Sequence, residues 1–164
     1  MDTKAKAPQE RMKDPAVVIP EAMEPVGALY AAVHTGGVPK RTLDLVHLRA
    51  SQINGCSSCG QSASRGAKKA GETDNRLFAV VAWRESPHFT DPERAALALA
   101  EAVTVSAIAR TLFPTKSGTR PPGTMTSGGL SALVLMIAVT NVFNRLNVAT
   151  RQIAGAWGWT GDRR

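Results

Sequence analysis

Apolar residues return every three or four positions along most of this chain, the period of a helix that buries one face. In residues 20–37 they are Met23, Val26, Leu29, Tyr30 and Val33, and Gly36-Gly37 then supplies the left-handed geometry in which helices end. Residues 39–53 open on a proline and place Leu43, Val46, Ala50 and Ile53 at helical spacing, until Asn54-Gly55 breaks the pattern. Cys56 opens the next segment, which runs to Gly71. In residues 72–86, Thr73 is a candidate cap and Leu77, Val80, Val81 and Trp83 are candidate core positions. Residues 90–104 pair Thr90 with Glu93 three positions later, the capping-box arrangement, with Pro92 in the first turn. Residues 130–159 read as one long or bent apolar helix; its richest stretch, 130–139, has the length of a core helix rather than a membrane span. No segment keeps the two-residue period of a strand. The pattern predicts an all-α fold: a compact helical domain of about six to seven helices.

Composition agrees. At 164 residues the chain suits one domain, and 43% hydrophobic with 5% aromatic residues describes a core of Ala, Leu, Val and Ile, which helices pack well. We expect a mobile polar arm over residues 1–13, one domain over 14–159 and a polar tail over 160–164. The first thirty residues lack the pattern of a signal peptide, so a cytoplasmic protein is expected, with thiols kept reduced unless they are catalytic or sensing. A net charge of +7 ordinarily points to nucleic acid. Here the basic residues are not interleaved with aromatics and form no known nucleic-acid motif, so neither a nucleic-acid nor a membrane partner is expected. One segment also inflates the charge. Residues 105–129 hold eight Ser or Thr, four Gly, three Pro, three basic residues and no acid. That is a long loop for a compact domain. Ordinary codons permit a neighbouring reading frame to encode an acidic amphipathic helix there, so a local frameshift is expected, and the gene's nucleotide sequence decides it.

The chain's two cysteines, Cys56 and Cys59, stand three apart at a helix start. Unpaired backbone N–H groups and the positive helix end favour thiolate there, and the spacing suits a disulfide closed across the first turn. Half a metal site and a pair of inert core thiols are the competing readings. A zinc site needs two further ligands, and only His34, His47 and His88 are available, none at ligand spacing. On the preceding helix, Asp44, His47 and Ser51 are spaced to share one side. Asp44 can reach the cysteines if the two helices fold back as a hairpin. His47 also borders the apolar Leu43, Val46 and Ala50, as a partly buried structural histidine would. No haem, flavin or nucleotide motif is present, so no cofactor is expected.

The blocks "LVHLRASQINGC", "KKAGETDNRLFAVVAWRES", "FTDPERAALALAEAVT" and "NRLNVATRQIAGAW", with the C-x-x-C between them, resemble in order the alkylhydroperoxidase-D-like branch of the carboxymuconolactone decarboxylase family. The resemblance implies an all-helical protein that assembles as a homo-oligomer, trimer or hexamer. It also implies a peroxidase whose cysteine pair reduces a hydroperoxide substrate and is regenerated by an external dithiol reductant. In the family the second cysteine, here Cys59, is the attacking thiolate and the first, Cys56, resolves it. The family carboxylate falls on Asp44, one methylene shorter than the usual Glu. The family histidine, four positions after the second cysteine, falls on Ala63. Loss of a general base costs about 10²- to 10⁴-fold in rate, which leaves two expectations: an impaired peroxidase, with His47 available as a substitute, or a catalytically degenerate helical oligomer with a structural or redox-sensing role. A His at position 63 would discriminate between them.

Overall fold

The structure is a computed structural model and describes residues 8–105 and 126–155. Among the described residues seven α-helices follow one another: α1 (Pro15–Val18), α2 (Met23–Val33), α3 (Lys40–Ile53), α4 (Ser57–Lys69), α5 (Asp74–Ala79), α6 (Asp91–Thr104) and α7 (Ser127–Thr150). Single 3₁₀ turns at Pro20–Ala22 and Val80–Ala82 lead into α2 and extend α5. Among the described residues there is no strand. The predicted boundaries hold to within a few residues except at the last helix. It starts at Ser127 and stops at Thr150, where Arg151 takes a left-handed conformation and ends it. The end of the expected 130–159 span, the polar tail, most of the 105–129 segment and residues 1–7 lie outside the described residues.

Local chemistry explains the helix starts. Asp14, Cys56, Thr73 and Thr126 each accept a backbone N–H of the first turn they cap, and Thr90 with Glu93 forms both halves of the capping box. The short α1, which periodicity does not reveal, exists because Asp14 caps it and Pro15 opens it. Residues just before it are tied down: the Arg11 amide donates to the Thr150 carbonyl at 2.8 Å, and Gln152 Nε2 donates to the Met12 carbonyl at 3.0 Å.

Helix α3 is the axis of the domain because it is apolar on two sides. Leu43 and Val46 join Val33, Ala96, Ala100, Leu133, Met136 and Ile137 in one core cluster. Leu45 and Leu48 face a second cluster with Ala63, Ala67, Leu77, Val80, Trp83 and Phe89. The second stripe of α3 is absent from the single-face reading of residues 39–53. Two expected core positions are instead exposed, Leu29 on α2 and Val81 in the turn after α5. Helix α2 packs mainly on α7, so only a narrow side of it is covered. The turn between α2 and α3 presses on the start of α7. A Cβ at Gly36 would stand 2.5 Å from Ala132 Cβ and 2.8 Å from the Gly128 carbonyl, so only glycine fits.

A half-buried ionic network fixes the other end. Arg41 and Arg76 both bind Glu72, Arg76 also binds Glu93, and Glu93 accepts from Thr90, linking α3, α5 and α6. Burial raises the Glu72 and Glu93 pKa values, but the bonds they accept outweigh it and both are held below the usual carboxylate range. Helix α7 is long and apolar enough to cross a membrane by length and composition. Its Leu133, Met136, Ile137 and Val139 nonetheless build the first core cluster.

Candidate active site

The α3–α4 hairpin creates the site. The Cys56 amide donates to the Ser51 carbonyl at 3.0 Å, so the chain reverses tightly after Asn54-Gly55. Helix α7 clamps this turn through a row of asparagines: Asn54 Nδ2 donates to Asn141 and Asn144, and Asn144 Nδ2 donates to Ser51 Oγ. Cys56 is the N-cap of α4, and its Sγ accepts the Cys59 backbone N–H at 3.2 Å. The two cysteines form a disulfide, with Cα atoms 5.3 Å apart. Cys59 Sγ accepts a second hydrogen bond, from Asn147 Nδ2 of α7 at 3.2 Å. Each sulfur therefore has its own donor: the helix terminus serves Cys56 and a side-chain amide serves Cys59. Both residues are buried.

Cys59 borders a cavity of about 80 Å³ between α2, α3, α4 and α7. Its apolar walls are Met23, Tyr30, Phe143 and Leu146. Its polar groups are Asp14, His47, Ser58, Ser62 and Asn147. Burial lowers the His47 pKa from 6.5 to about 4, and the charge of Lys40 adds to the effect, so this imidazole is neutral at pH 7. Burial raises the Tyr30 hydroxyl pKa, and the nearby Asp44 carboxylate raises it further. The Tyr30 ring lies edge-on to His47 at 6.3 Å and to His34 at 5.4 Å.

Of the residues singled out in the sequence, Cys56, Cys59 and His47 come together. Asp44 stands apart. Its Oδ2 is 2.6 Å from Lys40 Nζ one turn earlier, and it lines a separate cavity of about 340 Å³ with Arg41, Ala67 and Glu72. Its link to the cysteine cavity is its field on Tyr30. Ala63 points into the second core cluster beside Leu45 and Leu48. Asn147, Tyr30 and Asp14 were not legible as site residues. One signal for the first was present: Asn141, Asn144 and Asn147 recur every three residues in a largely apolar helix, a polar stripe that needs a polar partner.

The sequence of residues 20–102 matches the model of the carboxymuconolactone decarboxylase family. The chain belongs to that family. Carboxymuconolactone decarboxylase relatives include the uncharacterized protein YdfG of Bacillus subtilis, 30% identical over 132 residues that cover 80% of this chain and 88% of YdfG. The uncharacterized YnjA of Escherichia coli is 35% identical over 109 residues, 64% of this chain and 56% of YnjA. Among solved structures, a protein of unknown function from Agrobacterium tumefaciens, named as a candidate antioxidant-defence protein AhpD, matches with a TM-score of 0.73. It is 28% identical, with 91% of this chain and all of that one covered. The debrominase Bmp8 shares the fold at a TM-score of 0.66 and 20% identity, covering 85% of this chain and 74% of its own. The family member described here thus has the AhpD-like helical fold with its cysteine pair at the start of α4.

Proposed function

We propose that this protein is a thiol-dependent hydroperoxide reductase that cycles through the Cys56–Cys59 disulfide. The observation that carries the reading is a disulfide at a helix start, with one of its cysteines bordering a small, mostly apolar cavity. In the reduced state the Cys59 thiolate attacks the outer peroxide oxygen. The O–O bond breaks, Cys59 becomes a sulfenic acid, and the departing alkoxide takes a proton to leave as the alcohol. Cys56 then attacks the Cys59 sulfur, water leaves, and the disulfide closes. An external dithiol reductant returns both thiols by exchange. A cytoplasmic setting and assembly into trimers or hexamers belong to the same proposal.

Magnitudes decide how the thiolate forms. Transfer of a proton from a thiol of pKa about 8.5 to an imidazole of pKa about 4 is uphill by roughly 6 kcal/mol. His47 is therefore no resting base. It serves as a neutral hydrogen-bonding group that orients peroxide, while the helix terminus and Asn147 stabilise the sulfur anions. Asp44 acts at a remove, keeping Tyr30 protonated and able to donate to the departing alkoxide.

The test is consumption of cumene hydroperoxide with dithiothreitol, comparing the native chain with Cys59→Ser. The substitution is expected to bring the rate down to the uncatalysed background; equal rates for both proteins overturn the proposal. A second reading, a degenerate oligomer without the chemistry, is favoured by Ala63 in the apolar core and by Asp44 engaged with Lys40. A native rate no higher than background would establish it.

A further inference from the structure

The two cysteines of the disulfide face different cavities. Cys59 borders the smaller space of about 80 Å³ described above, which Cys56 does not line. Cys56 borders a groove of about 530 Å³, more than six times larger, which Cys59 does not line. The groove is formed by Gly55 and Ser57 on the hairpin turn, by Gln9, and by Val148 and Arg151 at the end of α7. Its mouth is open: Gly55 and Ser57 are exposed, and a Cβ placed on Gly55 meets nothing within 4 Å. Asn147 lines both spaces and donates to Cys59 Sγ.

Resting on the thiol–disulfide cycle proposed above, we propose that the reductant and the peroxide reach this disulfide from opposite sides, with a small dithiol in the groove attacking Cys56. Thiol–disulfide exchange needs the incoming thiolate in line with the bond it breaks, on the side away from the leaving sulfur. The groove gives room for that approach at Cys56. The equivalent approach at Cys59 would have to enter the small cavity between Met23 and Phe143.

One thiolate of the dithiol forms a bond to Cys56 Sγ, the Cys56–Cys59 bond breaks, and its electron pair leaves on Cys59. That anion is received by the Asn147 amide already bonded to it, and it is released facing the peroxide cavity. The second thiol of the reductant attacks its own bound sulfur, closes the reductant's disulfide and expels Cys56 as thiolate. Cys56 is a good leaving group here, since it holds the backbone N–H of Cys59 at the helix start. The protein gains two electrons, the dithiol loses two, and Cys59 is charged and oriented for the next peroxide. A separate reductant entrance also means that the dithiol never has to pass through the peroxide cavity.

The direction of attack is read with 2-mercaptoethanol, a monothiol that leaves its half of the mixed disulfide behind. Oxidised full-length protein is exposed briefly to it, quenched with N-ethylmaleimide and mapped by peptide mass spectrometry. The expected product carries mercaptoethanol on Cys56 and maleimide on Cys59. The reverse labelling, an even mixture, or no adduct on either cysteine overturns the inference. As a second measurement, Ser57→Trp, which fills the groove mouth, is expected to slow reduction of the disulfide by dithiothreitol roughly tenfold; an unchanged rate likewise overturns it. Neither readout uses peroxide. A protein labelled on Cys56 that consumes no peroxide would sink the peroxidase proposal and leave standing the attack of the reductant on Cys56 from the groove.

Discussion

At the scale of single residues, His47 separates what a residue type suggests from what its surroundings permit. A histidine one helix away from a cysteine pair invites the role of general base, yet burial and Lys40 hold it neutral to about pH 4. The sign of the consequence is fixed by linkage. The unfolded chain binds a proton at His47 below about pH 6.5 and the folded chain does not until about pH 4, so stability falls as pH drops through that window. Urea unfolding between pH 4.5 and 7.5 should show the native protein losing stability relative to His47→Gln, at up to about 1.4 kcal/mol per pH unit. Parallel curves would mean that His47 titrates normally. The cysteines themselves were legible, because two sulfurs three residues apart at a helix start are a local pattern. Asn147 was not, since its partner Cys59 is 88 positions away and only the packing of α7 across α4 brings them together.

Among the elements, α4 divides its side chains between the cysteine cavity and the apolar core. Ser58, Cys59 and Ser62 turn toward the cysteine cavity, whereas Ala63 and Ala67 turn toward Leu45, Leu48 and Leu77. The helical period dictates this division once Cys59 is placed, but which side is core depends on α3 having two apolar stripes. Those stripes were written in residues 43–48 and hidden by their density: nearly every position there is buried, so no single face stands out. Placing a histidine at 63, the change that tests for a missing proton relay, therefore has a structural cost. It inserts an imidazole into a filled apolar cluster, and Ala63→His is expected to lower stability by about 1–3 kcal/mol, read from the denaturation midpoint. Peroxide turnover is expected to stay at the native level. A stable variant with a large gain in turnover would instead show that the cluster opens and that the lost histidine was the limiting group.

For the whole molecule, α7 is the element whose apolar surface is left partly uncovered among the described residues. Its inner side supplies Leu133, Met136, Ile137 and Val139 to the core, while Leu130, Val134, Leu135 and Val142 stand about two-fifths exposed along the other side. An apolar stripe of this kind marks a contact surface. A bilayer is the wrong occupant. Moving α7 into lipid would strip the core of its largest contributors and carry the Asn141, Asn144 and Asn147 row away from the hairpin and from Cys59, dismantling the site. A second copy laid over the outer stripe would leave those bonds intact. Analytical ultracentrifugation is accordingly expected to find the trimer or hexamer proposed above, and a double change, Val134→Lys with Leu135→Lys, is expected to yield monomers of unchanged helix content. A native protein that sediments as a monomer at micromolar concentration would require another partner for this face. Since the changed positions point away from the core, loss of helix in the double variant would show that α7 is held differently from the arrangement described here.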